Sequence, residues 1–395
     1  MNYLSEPPVS AELVVIGGGV VGAATAFHAA RAGLSGVLIE ARPALCTLTT
    51  PVAAGAFRLQ FDNLEELRLV RESVELFGTF EETTRQTDYR LDLRRQGYLW
   101  LARSELTMHE QKRLVAQLHG WGQNDVELLD GDETRARFPF VGPSVLRARY
   151  RAGDGFVDTK ALTFGLAAGA KSGVVLDCRA TGFEVDAGRL TAVQTNRGRI
   201  ATGAAVIACG PLSGRVAGVA GLELPIVTVR RHKLWVPALD VVPSDAPMTI
   251  DEDTGTHWRP ALGGAWLLYT DPGTPPSPPS DNVPVDPRFA FQLLDPASPV
   301  SVARTVPFWE EVWRYGARQW VLQAGQYTVT PDHRPFIGAT EIDGLHVNTG
   351  YSGHGIMLAP AGGRVMAEVL TGDLKGEDNP FSLHRSFERR RAPTL

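Results

Sequence analysis

The stretch "VVIGGGVVG", Val14 to Gly22, constrains this chain more than any other part of it. Leu13 to Ile16 is short, β-branched and apolar, the pattern of a buried parallel strand, and the alanine-rich "AATAFHAARAG" that follows reads as a helix. The glycines, spaced G-x-G-x-x-G, therefore fall at a strand-to-helix turn. Gly17 permits the tight turn, Gly19 lets a pyrophosphate approach the backbone with Val20 and Val21 beside it, and Gly22 lets the helix lie close on the strand. The helix N-terminus offers free N–H groups and a partial positive charge to the phosphates. A second strand, "GVLIE", ends at Glu40, 18 residues after Gly22, where a carboxylate accepts hydrogen bonds from both ribose hydroxyls. Ala41 follows it, and Arg42 reads as a loop residue at the pocket rim, because Glu40 would repel a 2′-phosphate.

The 395 residues suit two domains, with 44% hydrophobic and 21% charged residues, as in ordinary globular proteins. A net charge of −5 gives no electrostatic footprint for nucleic acid or anionic membrane. Cys46, Cys178 and Cys209 are widely spaced and lack a C-x-x-C, so neither a disulfide framework nor a metal site is expected. The most apolar stretch, Leu13 to Ala30, contains the glycine turn and His28 and is better explained as strand plus helix than as a membrane span. The N-terminus "MNYLSEPPVSAE" has no basic residue, so a cytoplasmic location is expected.

Along the chain, "NLEELRLVRESVELFGTFEETT" carries Leu64, Leu67, Val74 and Phe77 at helical spacing and reads as one amphipathic helix. "RRQGYLWLARSE" reads as a strand, and "SELTMHEQKRLVAQLHGWG" as a helix capped by Ser104. Residues 173–210 hold several short strands with turns at "DAGR" and "NRGR", a β-meander returning to a final buried strand, Ala204 to Cys209. From Pro225 to Arg318 prolines, tryptophans and strands predominate, and "DPGTPPSPPSDNVPVDP" reads as a solvated connection.

Near the C-terminus "GLHVNTGYSGHGIMLAPAGGRVMAEVLTG" repeats the logic of the first turn. "LHVNTG" is a strand, "YSGHG" a glycine-rich turn, and Ile356 to Leu370 a helix with Pro360 in its first turns and Gly372 at its C-cap. A second helix N-terminus is thus aimed at a ligand. With these pieces in place the chain resembles the D-amino-acid-oxidase-like flavoprotein superfamily, closest to the branch of sarcosine oxidase and dehydrogenase β-type subunits and dye-linked proline dehydrogenase. The blocks that carry the resemblance are "VVIGGGVVG" with Glu40, "GAFRLQF", "GDGFVDTKALT", "AAVIACGPLS", "TPDHRPFIG" and "GYSGHGIMLAPAGG", in that order from residue 13 to 372.

The resemblance implies an α/β and α+β fold. A Rossmann-like FAD-binding domain is expected over 1–85, 150–225 and 325–395, and a discontinuous, mainly antiparallel-sheet substrate domain over 86–149 and 226–324. It implies FAD as the cofactor, with Gly17, Gly19 and Gly22 at the pyrophosphate and Glu40 at the adenosine ribose. Ala54 and Gly55 lie in the segment passing the flavin, Ala180 flanks the adenine, Ala208 and Gly210 line the cofactor, and Gly353, His354, Gly355, Ile356 and Met357 form the turn facing the pyrimidine end. The implied reaction removes hydride from the carbon beside an amine of an amino acid or secondary amine and gives an imine, electrons passing to oxygen or a quinone- or dye-like acceptor. The alternative is a flavin-binding subunit of a multi-subunit amine dehydrogenase that passes electrons to a partner.

Four residues are expected at the chemistry. Tyr327 matches a pocket tyrosine, Arg58 lies where the family keeps an arginine near the flavin, and His354 and Met357 sit in the second turn. Three positions depart from the monomeric sarcosine oxidases. Gly325 replaces the cysteine that attaches FAD, so non-covalent FAD is expected. Phe61 replaces a carboxylate-holding arginine, and Met357 replaces a lysine. Arg231, Lys233, His257 and Arg259 fall in the expected substrate-domain sheet, where any one of them is available to face the pocket.

Overall fold

The computed structural model describes residues 1–315 and 319–387. Residues 316–318 and 388–395, which belong to two of the expected domain segments, lie outside the described residues.

The strand Leu13–Ile16 is buried along its whole length because both of its faces are covered. Leu13 and Val15 pack among helices, whereas Val14 and Ile16 pack against Leu190, Val193 and Ile200 of the meander. An all-apolar strand is what a two-sided layer demands. It lies in the middle of a seven-stranded sheet, ordered Asn2–Tyr3, Gly173–Val175, Gly36–Ile39, Leu13–Ile16, Ala205–Ile207, Leu345–Thr349 and Phe336–Ala339. The first six pair in parallel, and Phe336–Ala339 joins antiparallel. The helices Val20–Arg31 and Gly355–Thr371 cover one face side by side. Their approach depends on small residues: a Cβ at Gly363 would sit 2.5 Å from the backbone of Ala24.

The other layer is an eight-stranded sheet, ordered Val321–Val329, Val227–Val236, Gly264–Tyr269, Thr256–Ala261, Met248–Asp251, Tyr98–Ala102, Arg147–Arg151 and Glu127–Asp130. All its neighbours are antiparallel except Met248–Asp251 with Tyr98–Ala102. The mixed α/β architecture expected from the sequence is therefore present. The expected boundaries at 149/150 and 324/325 fall inside two strands of this sheet, Arg147–Arg151 and Val321–Val329.

The meander is a three-stranded antiparallel sheet, its first turn made by Ala187 and Gly188 at φ 48° and 81°, the paired positive φ of a tight hairpin. The single helix expected over residues 63–84 is two. Leu64–Gly78 starts on an Asn63 cap that accepts from Glu66 N at 2.8 Å, and Phe80–Thr84 follows a break at Thr79, where Gly78 weakens the helix. Ser104 caps its helix as expected, accepting from Thr107 N.

The proline-rich segment is exposed or half-buried throughout, as its reading as a solvated connection expects, but it is also pinned to the fold. The buried amide of Gln326 holds it, donating to Ser277 Oγ at 2.9 Å and Pro278 O at 2.8 Å and accepting from Ser280 N at 2.9 Å. Ser277 N also donates to Thr228 O. The segment is a strap along the sheet edge that brings Asp281 to a cavity between the two layers. Among the described residues no helix is long and apolar enough to cross a membrane.

Gly363→Ala is expected to overpack the contact between the two covering helices and destabilise the protein by about 1–3 kcal/mol, measured as a lower urea midpoint with an unchanged slope.

Candidate functional site

A cavity of about 420 Å³ opens between the layers, within the range of small-ligand sites. Gly17, Gly19, Val20, Val21, Glu40, Ala41, Arg42, Ala180, Ala208, Gly210, Tyr327, Gly353, Gly355 and Ile356 all line it, so the structure brings most of the sequence-predicted residues into one wall. The glycine turn works by close approach. Gly17 takes φ 115°, and its Cβ would lie 2.6 Å from Ala208 O, while a Cβ at Gly22 would lie 1.8 Å from Gly17 O. At Gly19 the only neighbour is Thr50 Oγ1 at 3.2 Å. Gly17 and Gly22 fold the turn, and Gly19 leaves room on it.

Gly18, which the spacing argument passed over, donates its N–H to Glu40 Oε2 at 2.6 Å, and Arg42 N donates to Oε1 at 2.9 Å. The carboxylate is thereby fixed at the end of its strand with acceptor capacity left for a ligand. Burial pushes its pKa up, and these backbone donors oppose the shift. Arg42 is at the rim, as expected: Nε donates to Thr47 Oγ1 and Nη1 to Asp281 O, both at 2.8 Å.

The second turn is wound by positive φ at Gly350, Ser352 and Gly353, and no side chain caps the helix that follows. Its N-terminus therefore faces the cavity, as that of the first helix does, and two helix N-termini converge on one space suited to an anionic ligand. A Cβ at Gly353 would lie 2.6 Å from the Tyr327 ring, so this glycine lets the tyrosine pack on the turn.

Other expected residues stand behind the wall. Arg58 and His354 are each 4% exposed, and neither lines this cavity. His354 Nε2 is 3.2 Å from Arg58 Nη2, and because a guanidinium only donates, Nε2 accepts and Nδ1 carries the ring proton. Nδ1 faces Glu66 Oε1 at 3.5 Å. Phe61, Tyr98 and Trp100 pack around the guanidinium at 4.7, 5.8 and 5.4 Å. Met357 packs in the apolar cluster under the helices. Gly22 lies beneath the turn, and a Cβ at Gly55 would meet Val157 O at 2.3 Å. Neither Ala54 nor Gly55 reaches the cavity, whereas the adjacent Thr49, Thr50 and Ala53 do.

Sequence reasoning missed those threonines, and also Arg179, Arg215 and Asp281. Thr50 Oγ1 accepts from Val20 N at 3.3 Å, and the Asp281 carboxylate lies 3.8 Å from Arg179 and 3.7 Å from Arg215. No motif marks them, because the strap and the cavity meet only in three dimensions. All three cysteines are free and line the cavity, and among the described residues no cluster suits a metal ion.

A smaller chamber adjoins the cavity through Thr49, Ala53 and Tyr327, with Gly325, Arg231 and His257 completing its wall. A Cβ at Gly325 would meet Val52 at 3.4 Å, an ordinary contact. Lys233 and Arg259 do not line it. Lys233 Nζ donates to Pro51 O and Arg259 Nε to Ala54 O, each at 2.8 Å. Both cations lie against Trp266, at 4.0 and 4.1 Å, and burial lowers their pKa values to about 7 and about 9. They clamp the loop that separates cavity from chamber.

A family model described as FAD dependent oxidoreductase (DAO) matches residues 12–369. The chain is 29% identical over 387 residues to the mitochondrial sarcosine dehydrogenase of Mus musculus, which covers 93% of this chain and 40% of that protein. It is 25% identical over 450 residues to a D-amino acid dehydrogenase of Cereibacter sphaeroides, covering 97% and 98%. The chain thus spans well under half of the sarcosine dehydrogenase it matches. Among solved structures it resembles glycine oxidase from Geobacillus kaustophilus, with a TM-score of 0.82 and 25% identity over 96% of this chain and 100% of that one. A fold likeness extends to L-proline dehydrogenase from P. horikoshii, with a TM-score of 0.81 and 24% identity over 96% and 98%.

Glu40→Gln is expected to weaken FAD binding by about 1.5–3 kcal/mol, the scale of a charge-assisted hydrogen bond, or roughly 10–100-fold in Kd, read by flavin fluorescence quenching on reconstitution. Only the ionised carboxylate accepts at both oxygens. Retention in the native protein should therefore weaken as pH falls through the raised pKa of Glu40, and in the Gln variant that pH dependence should disappear.

Proposed function

The chain belongs to the DAO family of FAD-dependent oxidoreductases, and on that premise we propose that it oxidises the carbon–nitrogen bond of an amino acid or secondary amine to an imine. The observation that carries this reading is the shared wall: the cavity with two helix N-termini and the chamber beside it both border Tyr327. The cradle fits FAD, since Gly19 leaves open space where a pyrophosphate approaches the start of the first helix and Glu40 stands where a ribose needs an acceptor. Bound FAD supplies the hydride acceptor.

The remaining roles belong to side chains of this protein. The turn Gly353 to Ile356 directs its helix N-terminus at the end of the cavity bordered by Tyr327, where a positive dipole favours a ligand that gains negative charge. The Tyr327 hydroxyl, whose pKa burial raises, remains protonated and donates a hydrogen bond into the chamber. Arg58, His354 and Glu66 form a buried row that fixes the second turn from behind. The loop Thr49 to Ala53, clamped by Lys233 and Arg259, keeps water from the space between cavity and chamber. Gly325 offers no thiol, so FAD is held without a covalent bond. The chain's similarity to 40% of sarcosine dehydrogenase also supports a second reading, in which electrons leave through a partner polypeptide.

Two outcomes are expected. Acid precipitation should release intact FAD into the supernatant, with flavin in the pellet opposing the non-covalent reading. Anaerobic addition of amino acids and secondary amines should bleach the flavin band with at least one member of the panel, and a panel that leaves it unchanged would remove the amine-oxidising reading.

A further inference from the structure

Glu66 stands in the first turn of the helix Leu64–Gly78 but does not face water. It is 4% exposed, although a first-turn carboxylate ordinarily serves the helix dipole from the surface. Asn63 Nδ2 donates to its Oε2. Its Oε1 is buried with no hydrogen-bond partner, and so is Nδ1 of His354, and the two atoms face each other at 3.5 Å. On the other side of the ring, Nε2 accepts from Arg58 Nη2 at 3.2 Å. The imidazole therefore separates a carboxylate from a guanidinium, and the row carries one charge of each sign.

A carboxylate enclosed in this way is costly unless a positive charge balances it. Arg58 supplies that charge through the ring, and Phe61, Tyr98 and Trp100 around the guanidinium keep water from screening it. His333 also faces Glu66 and His354, with Asp332 and Asp62 beside it. Burial lowers the His333 pKa, His354 adding to the shift and the three carboxylates opposing it. The row lies close to the cavity. His354 is the N-cap of the helix Gly355–Thr371, and its chain neighbours Gly353 and Gly355 line the wall. Burial raises the Tyr327 pKa while Arg231 and Arg58 oppose the shift, which puts the Arg58 charge within electrostatic reach of that wall.

We infer that Glu66 is a positioning residue that sets how readily the bound flavin accepts electrons. It holds the His354 proton on Nδ1, keeps Nε2 an acceptor for Arg58, and offsets the guanidinium charge behind the second turn. The inference rests on the placement of the reducible ring of FAD beside that turn and deepens it by assigning control of the ring's potential. A hydride brings two electrons and one proton, so the reduced ring carries more negative charge than the oxidised one. A negative charge behind the wall opposes that gain, and a positive one assists it. With both charges present the row is neutral, and the helix N-terminus alone favours the reduced form. Removing the carboxylate leaves the guanidinium unopposed and makes reduction easier. Removing the guanidinium does the reverse.

The test uses the FAD-loaded protein at one fixed pH, because His333 and Asp62 titrate beside the row. The signal is the two-electron midpoint potential, read against a reference dye under anaerobic conditions. Glu66→Gln should favour the reduced flavin about tenfold, a rise of about 30 mV for a two-electron couple. Arg58→Gln should lower the potential by a similar amount, and the double variant should return close to wild type. Glu66→Asp keeps the charge and should also stay close to wild type, an ordering by charge that a packing role would not produce. The Glu66→Gln shift should persist at about 0.5 M NaCl, since enclosed charges are screened much less than exposed ones. Should Glu66→Gln shed its flavin, the histidine 15N shifts of the wild-type holoprotein still decide: His354 should carry its proton on Nδ1, and a proton on Nε2 would overturn the inference. Potentials that do not follow the charge would overturn it as well. Tyr327→Phe separates that failure from a failure of the ring's placement. If it alters the oxidised flavin spectrum while the potentials ignore the charge, the inference alone falls; if it leaves the spectrum untouched, the placement falls with it. No amine enters these measurements, so the substrate reading stands or falls separately.

Discussion

The contact between Gly22 and the carbonyl of Gly17, too close for any Cβ, is the constraint on which the rest depends. It seats the first helix on the central strand, which aims the helix N-terminus along the cavity and brings Gly18 to the Glu40 carboxylate. The same seating sets the height of that helix above the sheet. The last helix packs against it through Gly363 and Ala24, so the direction of the second N-terminus follows from the first. One glycine pair thus orients both positive ends of the cofactor cavity.

A second fixed point links the layers. The buried Asp154 carboxylate accepts from Leu59 N at 2.9 Å, from Gln60 Nε2 at 2.8 Å and from Arg151 Nη1 at 2.6 Å. This one side chain ties the segment after Gly55 to the end of a strand in the eight-stranded sheet. Burial raises its pKa while Arg151 and the two other donors oppose the shift. The "GAFRLQF" and "GDGFVDTKALT" blocks, nearly a hundred residues apart, are two halves of this knot.

The features legible in the sequence were those whose cause is local. Leu13 to Ile16 is apolar because both faces are covered, Gly17 and Gly22 mark a turn that no other residue can make, and Ser104 announces a helix start by its own side chain. What the sequence hid depends on distant pairs. Arg58 reads like a substrate ligand because a buried arginine near the flavin segment suggests one, and only the packing of Phe61, Tyr98 and Trp100 shows that it is enclosed. Arg231 was one of four basic residues on strands, and strand periodicity alone does not say which faces the chamber. Lys233 and Arg259 share its face, yet they end on backbone carbonyls of a loop some two hundred positions away.

The strap from Asp271 to Pro287 ties distant parts of the chain to one wall of the cavity. It crosses the sheet edge on the amide of Gln326, and Arg215 Nη2 and Arg42 Nη1 donate to the carbonyls of Pro279 and Asp281 beside the cavity. Arg42 follows the strand that leads to Glu40, Arg215 follows the meander, and Gln326 lies on the edge strand of the other sheet. A change in the strap is therefore felt at the cavity wall from three directions, without either glycine turn being touched.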